Sequence, residues 1–510
     1  MVVKRAVVSV YDKTGVAEFC RELHKLGVEI LSTGGTAKEL QRAGIPVTEI
    51  SNFTGSPEVF EGRVKTLHPK VHGGILYKRK EHAKEAKEQG IEPIDMVVVN
   101  LYPFEKTIAK KGASEQEIIE NIDIGGPAMI RSAAKNFESV AVVVDPSDYE
   151  ALIQELKENK DFSPAMRRRL MEKAFARTAE YDWAISSHFG KHEGFPLMYE
   201  LRFKQEFSLR YGENPHQHAT AYSLLGSTSI LHAPVHSDEK MSYNNYLDAD
   251  AAFGLIMEFM GENACAIIKH TNPCGGALGK TLKDAYERAL QTDPLSAFGG
   301  IIAFGKKVDK ATAESIGDKF VEVIVAPGYD EDAMQILRKK PKRRIIDISS
   351  LVGTKEKLNY RWVFGGLLSQ EKDSVIFNRD SLRAVSKKKP TEREINDLEF
   401  ATRFVKHTKS NALIIAKDLQ VLGIGAGQMS RVDSCKTSIS KAKEAKFDLK
   451  GSVVSSDAFL PFRDTLDEYA KVGVSALLEP GGSIRDVEII HAADEHEMGL
   501  VFSGFRHFKH

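Results

Sequence analysis

Over the first 145 residues, short runs rich in β-branched residues alternate with segments of helical periodicity, and this alternation restricts the fold more than any other feature. The runs typical of strands are Ala6–Val10, Val28–Leu31, Ile45–Ile50, Met96–Leu101 and Ser139–Val144. Strands that alternate with helices normally form a parallel sheet covered by helices on both faces. The sequence therefore predicts a doubly wound, parallel α/β sheet for this region.

A long helical pattern and a break follow this region. The helical pattern extends from Pro164 to His188, and Gly190-Lys-His-Glu-Gly-Phe-Pro196 has the composition of a linker. A chain of 510 residues is also too long for one ordinary hydrophobic core. We therefore expect a first domain at 1–196 and a second at 200–510.

The second region contains a faint internal repeat. Asn263-Ala-Cys-Ala-Ile-Ile-Lys269 is echoed by Asn411-Ala-Leu-Ile-Ile-Ala-Lys417, and Ser296–Gly300 is loosely echoed by Ser456–Leu460. Two apolar strands can resemble each other by chance, so the repeat has two interpretations. If it is genuine, the second domain consists of two related α/β subdomains, at approximately 200–375 and 376–510.

Charge and cysteine content restrict the partners and the compartment. The 71 Lys and Arg residues balance the 71 Asp and Glu residues, so nucleic acid is not expected as a main partner. The basic runs Arg338–Arg344 and Lys387–Lys389 fit solvated surface better than substrate steering. The four cysteines form no CxxC pair, and neither a signal peptide nor a membrane-spanning run is apparent. A cytoplasmic protein with no membrane partner is the expectation.

Three segments of the first domain carry residues suited to a phosphorylated ligand. Ser32-Thr-Gly-Gly-Thr36 lies where a strand turns into a helix, and backbone N–H groups at such a turn bind phosphate well, although an ordinary βα turn has the same sequence. The loop at Gly62–Pro69 is rich in cationic and hydroxyl side chains, and Asn100–Phe104 follows a buried strand, where ligands of parallel sheets collect. Ile122–Pro127 enters a further helix. The proton donors, acceptors and oxyanion stabilisers offered by these segments are Lys65, Tyr102, Asp123 and Lys135.

In the second domain, an apolar strand delivers Lys269 and His270 together. A cation beside an imidazole can keep the histidine neutral near pH 7 and can stabilise negative charge on a carbonyl, which are the needs of acyl transfer. Other patterns fail as alternatives. Cys274–Thr281 has only the end of a P-loop, and Gly423–Gly427 is incomplete as a dinucleotide loop. The chain has no H-x-E and no P-C-x-x-C motif, so a zinc deaminase mechanism is not expected, and no metal ligands are assigned.

Taken together, these segments resemble the AICAR transformylase/IMP cyclohydrolase family, in which one chain catalyses the last two steps to IMP. The resemblance covers nearly the whole chain except about 330–390, where no functional segment is recognised. It implies a methylglyoxal-synthase-like fold for the first domain and a pair of cytidine-deaminase-like α/β subdomains for the second. The implied co-substrate is 10-formyltetrahydrofolate, and the implied ligands are the nucleotides AICAR, FAICAR and IMP.

The resemblance also implies roles for individual residues of both domains. In the first domain, the nucleotide would be held by Ser9, Lys13, Ser32, Thr33, Gly34, Gly35, Thr36, Arg63, Lys65 and Thr66, and ring closure would be assisted by Lys65, Tyr102, Asp123 and Lys135. In the second domain, His270 would take the proton of the aminoimidazole amine, Lys269 would stabilise the oxyanion, and Asn411 would hold the formyl group or the nucleophile. Substrate-binding residues there would be Arg210, Tyr211, His216, Phe298, Gly299, Glu322, Arg431, Phe459, Pro461, Asp464 and Arg506.

Family members are homodimers, so a homodimer is implied here as well. A structural potassium ion near Val405–Asn411 and Asp457 is a further expectation by analogy. The first domain has two other possible interpretations: a regulatory nucleotide-binding module, and a lyase that acts on a triose phosphate. The joint presence of Lys65, Tyr102, Asp123 and Lys135 argues against the regulatory module, and the attached folate-type domain argues against the lyase.

Overall fold

The computed structural model describes residues 3–190, 200–354, 357–375 and 377–510. Contacts within the chain divide it into two compact units, Met1–Glu200 and Leu201–His510. The predicted linker at Gly190–Pro196 lies outside the described residues beyond Gly190. No described helix combines the length and the apolar character needed to cross a membrane.

The N-terminal unit is built on one parallel sheet of five strands in the order β3-β2-β1-β4-β5. The strands are β1 (Arg5–Val10), β2 (Glu29–Ser32), β3 (Thr48–Glu49), β4 (Met96–Asn100) and β5 (Ala141–Val143). The predicted doubly wound parallel sheet is therefore confirmed. The strand expected at Ile45–Ile50 is much shorter than predicted, because Ile50 already begins a helix.

Ten helices occur in the described part of this unit, and they pack around one core of apolar residues. They are α1 (Val16–Lys25), α2 (Gly34–Arg42), α3 (Ile50–Thr54), α4 (Pro69–Leu76), α5 (Ala83–Glu88), α6 (Phe104–Ala109), α7 (Glu115–Glu120), α8 (Gly125–Lys135), α9 (Tyr149–Asn159) and α10 (Pro164–Phe189). Helix α10 begins where Ser163 accepts a hydrogen bond from the Met166 N–H at 3.3 Å and Pro164 occupies the first turn, which is a favourable helix start.

The C-terminal unit contains an 11-stranded sheet in the order β12-β11-β10-β8-β9-β17-β16-β18-β19-β20-β15, and two separate hairpins, β6-β7 and β13-β14. The strands are β6 (Phe203–Ser208), β7 (Thr220–Leu224), β8 (Ala264–Lys269), β9 (Asn272–Leu278), β10 (Ile301–Phe304), β11 (Val323–Ala326), β12 (Arg344–Asp347), β13 (Leu358–Val363), β14 (Gly366–Glu371), β15 (Arg383–Ala384), β16 (Leu413–Lys417), β17 (Gln420–Gly425), β18 (Val453–Ser456), β19 (Ala476–Glu479) and β20 (Gly499–Phe502).

Helices cover both faces of this sheet. They are α11 (Tyr243–Ile256), α12 (Leu282–Thr292), α13 (Pro294–Ala297), α14 (Lys310–Ile316), α15 (Glu331–Leu337), α16 (Glu392–Val405), α17 (Arg431–Glu444), α18 (Asp464–Lys471) and α19 (Asp486–Glu495). Helices α11 and α16 share one core on one face, while α12 with α14 and α17 with α18 form two separate cores on the other face.

The long sheet repeats one strand order twice. From its centre outward, one half reads β9-β8-β10-β11-β12 and the other reads β17-β16-β18-β19-β20. The pairings agree as well, since β8 and β16 each have antiparallel neighbours on both sides and the outer pairs are parallel. The halves meet where β9 and β17 pair antiparallel, so they are related by an approximate twofold axis through this seam.

Candidate active sites

The N-terminal candidate site lies where β1, β2 and β4 end, at the carboxyl edge of the parallel sheet. The Ser9 and Thr33 hydroxyls are 3.0 Å apart. The Thr36 hydroxyl donates to the Val10 carbonyl at 2.9 Å and accepts from its N–H at 3.1 Å, and Asn100 accepts from the Tyr11 N–H at 2.6 Å. These bonds lock the loop after β1 against the start of α2 and the end of β4.

Two lysines reach the first turn of α2. A β-carbon added to Gly34 would lie 3.9 Å from Lys65 Nζ, and one added to Gly35 would lie 4.0 Å from Lys13 Nζ. Gly34 has a φ of +43°, in the region that favours glycine. Helix N-termini present free N–H groups and a positive dipole end, and the two ammonium groups beside this turn add positive charge, so the arrangement is suited to an anion such as a phosphate.

A half-buried carboxyl lies close to these cations. Asp123 accepts a hydrogen bond from the Gly126 N–H at 2.8 Å, and its own N–H donates to Tyr181 at 2.7 Å. Burial raises the pKa of Asp123, against the opposing effects of backbone hydrogen bonds from Gly126 and Tyr102 and of the Lys65 charge. Burial and the nearby Asp123 charge also raise the pKa of Tyr102. The site therefore combines an acid–base pair with a cation, as proton transfer around a bound ligand requires.

Three other predicted residues have distinct positions. Thr66, from the loop before α4, packs against the first residue of α8: a β-carbon added to Gly125 would lie 2.8 Å from the Thr66 hydroxyl. Arg63 is paired with Glu120 on α7 and is largely exposed. Lys135 is the last residue of α8, about 15 Å along the helix from Gly125, so it lies well away from the turn that holds Asp123.

The C-terminal candidate site lies at one edge of the long sheet. Strand β8 ends at this edge, and β16 begins there because the antiparallel strands β9 and β17 separate the two. A contact joins the two sides: the side-chain amide oxygen of Asn272 accepts a hydrogen bond from the Lys409 N–H at 3.0 Å. His270 and Asn411 thus share one edge, separated by three strand spacings, or about 14 Å.

His270 occupies the two-residue turn between β8 and β9. His270 and Thr271 both have positive φ angles, 51° and 62°. The His270 side chain is exposed, while Lys269 points elsewhere and donates to the carbonyls of Phe298 at 3.2 Å and Gly299 at 2.9 Å. Lys269 therefore fixes the loop that carries Phe298 beside the strand end that carries His270.

Phe298, one of the predicted substrate-binding residues, also lies at this edge of the sheet. Phe298 is 67% exposed, with its ring 5.1 Å from that of Phe320. Gly299 is closed on both sides, because an added β-carbon would lie 2.9 Å from the Phe320 ring and 3.5 Å from Lys269 Nζ. Glu322 precedes β11 and accepts from the Asn245 amide at 2.7 Å.

Asn411 is held by hydrogen bonds on both sides of its amide group. Its amide donates to the carbonyls of Gln428 at 3.0 Å and Met429 at 3.2 Å, and its oxygen accepts from Arg431 at 2.9 Å. Arg431 is itself buried and donates to Asp457 at 2.5 Å, and Ser410 donates to the same carboxylate. Here Arg431 orients Asn411 through direct contact, a role that the sequence analysis did not give it.

The remaining predicted residues lie in loops. Arg210 and Tyr211 stack, with the guanidinium carbon 5.6 Å from the ring centre, and His216 is exposed in the same turn-rich segment. Phe459 and Pro461 lie in the loop after β18, and Asp464 opens α18. Arg506 stacks on Phe508 at 4.4 Å near the C-terminus.

The two basic runs are largely committed to internal contacts. Arg343 donates to the carbonyls of Gly317 and Lys319 at 3.0 and 2.9 Å, and Lys340 pairs with Asp318 at 2.9 Å. In the second run, Lys388 donates to the Ser475 carbonyl at 3.2 Å, and Lys389 donates to the carbonyls of Ala384 and Ser386. These contacts favour a structural role for both runs.

Sequence reasoning missed three polar residues. Asn245 binds Glu322, Asp248 accepts from the Thr271 N–H at 2.6 Å, and Glu479 is fully buried below the loop after β18. Glu479 accepts from the Leu460 N–H, and its second oxygen has no partner among the described residues. Burial raises the pKa of Glu479 to about 8. The only sequence signal for Asn245 and Asp248 is that they lie in one polar helix start, Ser242–Asp248.

Among the described residues, no group of three or more His, Cys, Asp and Glu side chains has the arrangement of a metal site. The segment for which potassium was expected contains Thr408, Ser410 and Asp457, and both Thr408 and Asp457 are buried. Oxygen atoms of these types are the ligands that a hard cation prefers.

The chain matches known proteins along nearly its whole length. A family model described as AICARFT/IMPCHase bienzyme matches residues 133–441, and a model described as MGS-like domain matches residues 15–128. Proteins named bifunctional purine biosynthesis protein PurH are similar to it: that of Persephonella marina is 51% identical and that of Aquifex aeolicus 50%, each match covering 99% of this chain and 100% of the relative. A solved structure of a protein named ForH is 36% identical and covers 37% of this chain and 97% of that chain, with a TM-score of 0.35.

Proposed function

The chain belongs to the family of AICARFT/IMPCHase bienzymes, the bifunctional purine biosynthesis proteins, and on that premise we propose which unit carries each activity. The enzyme transfers a formyl group to AICAR, giving FAICAR, and then closes FAICAR to IMP with loss of water. We assign ring closure to Met1–Glu200 and formyl transfer to Leu201–His510. A bienzyme needs two catalytic sites, so an N-terminal unit that is only regulatory, or that acts on a triose phosphate, does not fit this family.

For ring closure, the observation that carries the proposal is the pair of lysines at the first turn of α2, close to the half-buried Asp123. The phosphate of FAICAR would bind the N–H groups of Gly34 and Gly35 together with Lys13. The carboxamide nitrogen then attacks the formyl carbon of the same molecule. Because the reaction is intramolecular, the protein mainly has to position the groups and stabilise charge.

The side chains around the ring would divide the proton transfers. Asp123 takes the proton from the attacking carboxamide nitrogen, and Lys65 stabilises the negative charge that develops on the formyl oxygen. Tyr102, half-buried beside them, supplies a hydroxyl donor to the departing water. Lys135, the last residue of α8, is the fourth proposed member of this set.

For formyl transfer, the proposal rests on His270 and Asn411 at one edge of the sheet. His270 would take the proton from the amine of AICAR as that amine attacks the formyl carbon, and Asn411 would hold the formyl oxygen or the amine. Lys269, anchored to the carbonyls of Phe298 and Gly299, contributes positive charge beside the same strand end. Phe298 would stack on a planar ring.

The finer assignments are proposals as well. We propose 10-formyltetrahydrofolate as the formyl donor, bordered by Phe459, Pro461 and Asp464, with Glu322 binding the pterin amine. We also propose a homodimer, and a potassium ion held near Ser410 and Asp457. All four cysteines are free thiols, which supports a reducing compartment such as the cytoplasm.

The test is a spectrophotometric assay with AICAR and 10-formyltetrahydrofolate. Wild type should form IMP, His270→Ala should form neither FAICAR nor IMP, and Lys65→Ala should accumulate FAICAR. Ring closure at the wild-type rate by Lys65→Ala would remove Lys65 from the mechanism. Failure of wild type to consume the folate would overturn the assignment of the C-terminal unit.

A further inference from the structure

The turn that carries His270 has an unfavourable sequence for its backbone shape. A two-residue hairpin turn with positive φ at both positions favours Asn-Gly or similar pairs. Here the pair is His270-Thr271, with φ of 51° and 62°. A β-branched residue such as Thr271 is a clear outlier in this region, so the turn needs support from outside.

Asp248 supplies that support. Its carboxylate accepts a hydrogen bond from the Thr271 N–H at 2.6 Å, across 23 positions of sequence. Asp248 lies on α11, which packs against β8, so the turn is tied to a rigid element of the core. A hydrogen bond to a charged acceptor is stronger than one between neutral groups.

The other half of the sheet contains the same device. The turn between β16 and β17 consists of Asp418 and Leu419, with φ of 50° and 58°. Asp397 accepts from their N–H groups at 3.0 and 2.7 Å. Asp248 and Asp397 are each the sixth residue of the equivalent helices α11 and α16. The second turn lies at the opposite edge of the sheet, away from His270, because the halves are related by the twofold at the β9–β17 seam.

We propose that Asp248 is a positioning residue for formyl transfer: it holds the His270-Thr271 turn in the left-handed conformation that points the imidazole at the substrate. This inference rests on the proposed role of His270. Asp248 does not need to touch the substrate, since its acceptor oxygen is bonded to the backbone. The equivalent turn, Asp418-Leu419, is held by Asp397 in the same way and has no proposed catalytic residue. It therefore serves as an internal control.

The test measures formyl transfer and FAICAR cyclisation separately in the full-length enzyme. Asp248→Ala should lower kcat for formyl transfer about 10- to 100-fold, the range expected from loss of orientation of a catalytic group. The KM for AICAR should change less than about threefold, and cyclisation of supplied FAICAR should stay at the wild-type rate. Asp248→Asn retains an acceptor oxygen and should recover most of kcat.

Two further variants separate positioning from general damage. Asp397→Ala loosens the equivalent turn, so it should lower the melting temperature at least as much as Asp248→Ala, yet keep kcat within about twofold of wild type. Thr271→Gly, added to Asp248→Ala, should restore much of kcat, because glycine adopts positive φ without support.

The proposal fails if Asp248→Ala keeps wild-type kcat, if Asp397→Ala loses as much kcat as Asp248→Ala, or if Thr271→Gly restores nothing. If Asp248→Ala does not fold, the melting temperatures show it, and Asp248→Asn together with the double variant still decide. Failure of the proposed function gives a different result: wild type consumes no folate, or His270→Ala remains active. If wild type is active and His270→Ala is inactive, the outcomes above concern the role of Asp248 alone.

Discussion

Asp123 illustrates how burial prepares one side chain for chemistry. Its pKa is raised because the carboxyl is removed from water, despite a backbone N–H and the Lys65 charge that act in the opposite direction. A base with a raised pKa accepts a proton more readily from a weakly acidic amide. The same carboxyl is held by the Gly126 N–H, so its position is fixed as well as its acidity.

We expect Asp123→Asn to slow FAICAR cyclisation about 100- to 1,000-fold while leaving formyl transfer unchanged. In wild type, cyclisation should decline as pH falls through the raised pKa of Asp123, because the protonated carboxyl cannot accept a proton. A cyclisation assay across pH checks this, with Asp145→Asn as a control carboxylate in the same unit. Cyclisation that accelerates at low pH would instead make Asp123 a proton donor.

Glu479 is a buried acid whose ionisation opposes folding. Its pKa of about 8 in the folded protein lies above the ordinary 4.5, so the folded state binds more protons than the unfolded state between these values. The charged groups that influence it are Asp486, which raises its pKa, and Arg431, which lowers it. Stability contributed by the protonated form is therefore full below about pH 4.5 and is lost as pH rises toward 8.

Glu479→Gln should remove this pH dependence, since the amide oxygen can still accept from the Leu460 N–H and carries no charge. The variant should match wild type near pH 5 and become the more stable protein by pH 8, by up to about 1.4 kcal/mol for each intervening pH unit. Urea unfolding at several pH values measures the difference. A constant difference across pH would show that Glu479 does not titrate in this range.

At the scale of single elements, two equivalent glycines let helices approach the central strands. A β-carbon on Gly275 of β9 would lie 2.3 Å from the Ala289 carbonyl oxygen of α12, and one on Gly423 of β17 would lie 2.2 Å from the Ser438 carbonyl oxygen of α17. Backbone atoms cannot move aside as a flexible side chain can. These contacts explain why glycine occupies both positions.

Gly423→Ala should destabilise the C-terminal unit by about 1–3 kcal/mol, the usual cost of overpacking a core. Gly366→Ala on β14 is the matched control, because an added β-carbon there meets only Val363 at 3.5 Å, and its effect should stay within about 0.5 kcal/mol. Denaturant unfolding of both variants provides the comparison. Equal stabilities would mean that α17 can shift away from β17.

Elements were predictable where the sequence pattern is local. The β-branched runs identified every strand of the N-terminal sheet, because parallel strands are buried on both faces. The short pairing at Thr48–Glu49 was not predictable, since it depends on where α3 begins. The same dependence on local pattern decides which site residues could be predicted. His270 and Asn411 lie at strand ends that the sequence indicates, whereas Asp248 binds a residue 23 positions away and has no periodic signal.

At the scale of the whole molecule, the two proposed sites lie in different compact units, Met1–Glu200 and Leu201–His510. We therefore expect FAICAR to be released from the first site before it binds the second. A mixture of His270→Ala and Lys65→Ala enzymes should then form IMP from AICAR, because the second variant makes FAICAR and the first closes it. IMP production measured against each variant alone tests this, and no IMP from the mixture would contradict it.

The sequence left two interpretations of the internal repeat open, and the strand order of the C-terminal sheet supports a genuine repeat. Two apolar strands gave too little similarity to exclude chance. The common strand order, the equivalent helices and the two turns with positive φ extend the likeness over ten of the eleven strands of the C-terminal sheet. The two halves agree in backbone geometry, and this geometry is kept where their sequences differ, as at the equivalent turn positions His270 and Asp418.

The pairing of β9 with β17 at the seam has a consequence for the evolution of the chain as well as for its shape. A protein consisting of one half alone would end its sheet at a bare central strand, with unpaired N–H and C=O groups along it. The partner best matched to that edge is another copy of the same half. Joining two copies in one gene replaces the association of two separate molecules with a covalent link between the halves. Each copy is then free to diverge in sequence. One turn could then acquire the chemistry of His270 while its twin kept only the fold.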